Sequence, residues 1–89
     1  MSSSANKQKG TRFEREVVEF IAERKPYPVE RRAQFGALDR GDIVGVPDWA
    51  LECKAVQDWS KKLGAFVREA EQEARNARVP FGVVVVKRR

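Results

Sequence analysis

A chain of 89 residues with 42% hydrophobic and 35% charged side chains makes one small domain, near the lower size limit for a self-sufficient core. It has no histidine and a single cysteine, Cys53, which excludes histidine-based triads, internal disulfides and zinc sites of the Cys/His kind. Its 18 basic residues outnumber 13 acidic ones, for a net charge of +5 and a pI near 9.8, a balance that suits a polyanionic partner.

No apolar run reaches the roughly 20 residues of a membrane helix, and no apolar core follows Met1–Asn6, so the start is not a secretory signal. Residues 1–9 read as a flexible basic tail and 10–89 as one domain in a reducing, cytoplasmic setting. From Thr11 to about Arg24 an amphipathic helix is predicted, with Phe13, Val17, Phe20 and Ile21 on one stripe. Pro26 and Pro28 close it and lead into a strand over Val29–Gln34. A loop, Phe35–Gly41, has a glycine near each end. A hairpin follows, Asp42–Val46 and Trp49–Ala55, turning at Pro47-Asp48.

A second helix is predicted from Ser60, as N-cap, to Arg78. Its inner stripe is Leu63, Phe66, Val67, Ala70, Ala74 and Ala77, whose small alanines let it lie close to a sheet. Pro80 stops it. Phe81–Val86 has no polar alternation and reads as a strand buried on both faces, parallel to a neighbour through a helical crossover. The order α-β-β-β-α-β describes a layered α/β domain with a mixed central sheet.

The chemistry concentrates in Asp42 and, ten positions on, Glu52-Cys53-Lys54. Alternate strand residues share a face, so Glu52 and Lys54 point together while Leu51 and Cys53 point away. Charged groups on an otherwise apolar hairpin are costly to bury without a partner or a task. An acid at the start of the first strand comes beside them once the hairpin closes. Two carboxylates and an ammonium in one notch can hold a hard divalent cation and act on a phosphate. Each residue also has a plainer reading. Asp42 fits a turn after Gly41, Glu52 and Lys54 fit a cross-strand ion pair, and Cys53 fits core filler. For Glu14 it is the capping box Thr11-x-x-Glu14.

This arrangement resembles the PD-(D/E)xK nuclease superfamily, with its restriction-endonuclease-like core. Within it the chain looks most like the archaeal-type Holliday junction resolvases and their phage relatives. The opening Lys9-Gly10-Thr11-Arg12-Phe13-Glu14-Arg15-Glu16 is similar to that group's Lys-Gly-x-x-x-Glu-Arg-Glu. The resemblance spans roughly Lys9–Val86 and implies a Mg²⁺- or Mn²⁺-dependent endonuclease for four-way DNA junctions, acting as a homodimer. Carried over by motif, the catalytic set is Glu14, Asp42, Glu52 and Lys54. The metal set is Asp42, Glu52, the backbone carbonyl of Cys53, and Glu14. The arginine ending the family's first strand falls on Arg32, and Gly36 stands where the family has a loop serine. The chain stops at Lys87-Arg88-Arg89 where relatives continue, as a minimal or shortened member. Candidate DNA contacts are Lys9, Arg12, Arg15, Arg31, Arg32, Arg40, Lys61 and Lys62. Alternatives within reach of the same residues are a nuclease for flapped or other branched DNA, and a catalytically silent DNA-binding or structural module on the same fold.

Overall fold

The structure is a computed structural model that describes residues 4–32 and 41–87, with side chains from residue 10 onward. Its elements are α1 (Ser4–Arg24), β1 (Glu30–Arg31), β2 (Ile43–Val44), β3 (Trp49–Lys54), α2 (Trp59–Ala77) and β4 (Phe81–Val86). The four strands form one sheet in the order β1-β2-β3-β4. β1–β2 and β2–β3 are antiparallel, whereas β3–β4 is parallel. The chain is therefore α/β, with the α-β-β-β-α-β order and mixed sheet expected from the sequence.

α1 begins at Ser4, well ahead of the expected Thr11. Ala5-Asn6-Lys7-Gln8-Lys9 contains neither proline nor glycine and is mostly good helix formers, so part of the presumed tail is helical. Thr11 consequently lies inside the helix and cannot cap it. The cap explanation for Glu14 falls with it.

On the α1 side of the sheet, Phe13 and Val17 pack against Ile43 and Leu51, with Ile21, Cys53, Val83 and Val85 around them. Phe20, expected on the same stripe, is 57% exposed and lies under the Arg24 guanidinium.

On the other side, α2 lies close to the sheet because Ala70 and Ala74 are buried. The approach is so tight that a Cβ on Gly82 would collide with the Ala70 carbonyl. Two expectations for α2 need correction. Its N-cap is Asp58, which makes no side-chain cap bond and pairs instead with Lys62 Nζ at 3.4 Å; Ser60 is already inside the helix. Leu63 and Val67 are exposed. The last residue of β3, Lys54, lies over Phe66, so the preceding turn of α2 overhangs the end of the strand.

β4 is also corrected. It is the outer strand, its residues are half-buried, and Phe81 is exposed, because no strand flanks it on the far side among the described residues. β1 and β2 are shorter than expected. β2 stops before Gly45, whose φ of +99° favours glycine. The expected continuation of β1 beyond Arg32, together with Phe35, Gly36 and Arg40, lies outside the described residues.

Candidate active site

Asp42 is placed by backbone geometry. Gly41 precedes it with φ +99°, and a Cβ there would sit 2.8 Å from the Leu51 carbonyl oxygen, so a glycine lets the chain run against β3. Asp42 N–H then donates to Leu51 O (2.7 Å), and Asp42 O accepts from Arg32 N–H (2.8 Å). Its side chain reaches past the end of β2, where Oδ2 accepts the Cys53 backbone N–H at 2.8 Å. Asp42 is therefore no simple turn residue. The N–H and C=O of one strand residue point to the same edge, so the Cys53 carbonyl faces the Asp42 side. The Lys54 carbonyl turns to the opposite edge and accepts from Lys87 N–H at 2.9 Å.

Glu52 and Lys54 project together toward α2, as the strand alternation requires. Glu52 is 6% exposed; its Oε1 lies 3.5 Å from Lys54 Nζ, and its Oε2 is buried and receives no N–H donor. The pair is thus real but sheltered. Burial raises the Glu52 carboxyl well above the usual carboxylate range, and hydrogen bonding to Glu73 and the charge of Asp42 push it further the same way.

Two α2 glutamates near this pair had not been singled out in the sequence. Glu69 takes Lys54 Nζ at 2.9 and 3.0 Å with its two oxygens, and Glu73 is 1% exposed. Oxygens of Glu52, Glu69 and Glu73 lie within 4.8 Å of one another. A signal existed: Glu69 and Glu73 follow Phe66 by three and seven positions, on its face of the helix. An apolar-stripe search passes over them because they are charged.

Glu14 reaches the notch from α1 and is ion-paired with Arg31 Nε at 3.1 Å. Burial raises its carboxyl, the Arg31 hydrogen bond opposes, and Asp42 adds to the rise. Asp42 acts electrostatically on Glu14, Glu52 and Cys53 alike, which makes it the centre of the acidic notch. Arg31, expected to meet phosphate, is engaged by Glu14 and by Thr11 Oγ1 at 3.5 Å. Arg12, Arg15, Lys61 and Lys62 are exposed and Arg32 is half-buried. The Lys9 side chain and Arg40 lie outside the described residues.

This donor set fits a hard divalent cation. Its side chains offer only oxygen, and the buried Glu52 Oε2 receives no N–H donor and is crowded by other acids. Cys53 Sγ does not belong to the set. Burial, then the charges of Asp42, Glu14 and Glu52, push its thiol up to about 12, so it carries almost no thiolate at neutral pH. Alkylation of native protein at pH 8 should therefore be slower than that of urea-unfolded protein by about a hundredfold or more. Equal rates, followed by mass spectrometry, would show an ordinary thiol.

No family model, curated protein or solved structure matches the chain. Among the described residues no helix is long and apolar enough to cross a membrane.

Proposed function

We propose that the protein is a metal-dependent DNA endonuclease of the PD-(D/E)xK type that cuts branched DNA, foremost four-way junctions. The observation that carries this reading is the end of β3. There Asp42 is tied to the Cys53 amide, beside a buried Glu52 crowded by other acids and a Lys54 ammonium directed to the same side as Glu52.

Asp42, Glu52, the Cys53 carbonyl and Glu14 would hold Mg²⁺ or Mn²⁺, which supplies an activated water and offsets charge on the phosphate. Lys54 offers a fixed positive charge to the extra negative charge of the pentacovalent transition state. Burial pulls its amine down, but the Glu69 hydrogen bond and the charges of Glu52 and Glu69 outweigh that and raise it, so it stays an ammonium at neutral pH. Glu14 anchors Arg31 across the rim of the notch. Exposed Arg12, Arg15, Lys61 and Lys62 suit contacts with the phosphate backbone, which position a substrate without reading its bases. Symmetric cutting of a junction needs two copies of the site, which a homodimer supplies. The setting proposed is the cytoplasm of a prokaryotic or phage-infected cell.

The test is cleavage and binding of a four-way junction and of matched duplex at one salt concentration, with Mg²⁺, Ca²⁺ or EDTA. Paired nicks near the branch point are expected only with Mg²⁺ or Mn²⁺, and Ca²⁺ should support binding without efficient cutting. Affinity should favour the junction by about tenfold and fall steeply with salt. Cutting in excess EDTA would defeat the metal mechanism. Equal affinity for both DNAs would remove the junction assignment and leave a general nuclease.

A further inference from the structure

We infer that Glu69, on α2, is the positioning residue for Lys54, an inference that rests on the nuclease reading for its consequence in turnover. Lysine ends in a compact charge on a four-carbon, freely rotating stem. Such a charge helps a transition state only if it is held in place before the reaction begins. β3 supplies the position of the Lys54 backbone but not the direction of its ammonium. α2 supplies that direction. Both Glu69 oxygens lie at hydrogen-bond distance from Nζ, 2.9 and 3.0 Å away, and the Phe66 ring, one helical turn earlier, lies 4.8 Å from it. Glu52 Oε1 is the more distant partner at 3.5 Å, so Glu69 is the principal one.

The geometry separates positioning from folding. The Glu69 side chain is 38% exposed and Lys54 21%, so the pair is part-buried and its loss costs some stability without removing any core contact. The helix is held instead by Ala70 and Ala74 against the sheet. Removing the Glu69 charge should therefore free the ammonium without unseating α2. Glu71, exposed on the same helix, is the matched control.

The experiment uses the full chain as wild type, Glu69→Gln, Glu69→Asp and Glu71→Gln, with two readouts. One is steady-state cleavage of a four-way junction in Mg²⁺. The other is the side-chain ammonium resonance of Lys54 in ¹⁵N-lysine-labelled protein, identified by its loss in Lys54→Ala. Glu69→Gln should lower kcat by about tenfold or more while KM stays at the wild-type value and the thermal midpoint falls by no more than a few degrees, well above the assay temperature. The Lys54 resonance should broaden or vanish in it. Glu69→Asp, which keeps the carboxylate, should recover part of both, and Glu71→Gln should change neither. A Lys54 resonance unaltered in Glu69→Gln, or a wild-type kcat in that variant, would overturn the inference. Wild-type protein that cuts no junction or duplex would defeat the nuclease reading instead, and the resonance would then decide the Lys54–Glu69 pairing by itself.

Discussion

Lys54→Ala should reduce junction cleavage by about a hundredfold to a thousandfold, the range seen when one preorganised transition-state donor is removed. Junction affinity should stay within a few-fold. The two effects separate because binding to a polyanion is shared among many cations, and Arg12, Arg15, Lys61 and Lys62 remain exposed. The position of Lys54 explains the large loss. Its ammonium is partly sheltered at 21% side-chain exposure, where a charge is screened less than on the open surface. Removing it also leaves the Glu52 carboxyl without its 3.5 Å partner. Lys54→Arg should not rescue fully, since a planar guanidinium cannot occupy the place of a compact ammonium between Glu69 and Phe66. Filter binding and single-turnover cleavage on the same junction measure the two quantities. Affinity lost with turnover retained would make Lys54 an ordinary phosphate contact.

Glu52→Gln should abolish cleavage and yet stabilise the metal-free protein above neutral pH. The sign follows from the raised Glu52 carboxyl. Where the folded carboxyl titrates above its unfolded value of 4.5, the folded state holds a proton that the unfolded state has released. That contribution is fully present below pH 4.5 and drains away as pH climbs toward the folded value. Wild-type protein in EDTA should thus lose stability between about pH 5 and 9, and the glutamine variant should lose less. Each displaced pKa unit corresponds to about 1.4 kcal/mol, and each kcal/mol moves the midpoint of a domain this size by roughly 4–8 °C. A gain of at least about 5 °C at pH 8, with little difference at pH 4, is expected on that scale. Mg²⁺ should narrow the gap by stabilising the wild type more, and increasingly so as pH rises, because a bound cation competes with the proton. Thermal unfolding at pH 4, 6 and 8, with EDTA or Mg²⁺, checks this. A glutamine variant less stable than wild type at pH 8 in EDTA would mean that Glu52 is ionised and paired in the fold.

The apolar pattern determined the order of elements. Phe13 and Val17 marked the buried face of α1 through their helical spacing, and the unbroken apolar run Phe81–Val86 marked the last strand. Strand alternation likewise determined that Glu52 and Lys54 point together, away from Leu51 and Cys53. Element limits were less legible. α1 runs back to Ser4 and α2 starts a residue before Ser60, since fraying and capping turn on small local differences.

What surrounds the acid-x-Lys pair was decided only by tertiary structure. The crossover from β3 to the parallel β4 lays α2 over Glu52 and Lys54. Only that packing brings in Glu69 and Glu73, fifteen and nineteen positions beyond Lys54. It also makes β4 the outer strand among the described residues and leaves Leu63 and Val67 of α2 exposed. The spacing from Phe66 places Glu73 on that helix face, but its burial is decided only when the helix that bears it is docked. The charge states of Glu52 and Lys54 depend on that same docking, since desolvation and neighbouring charge arise from contacts between elements.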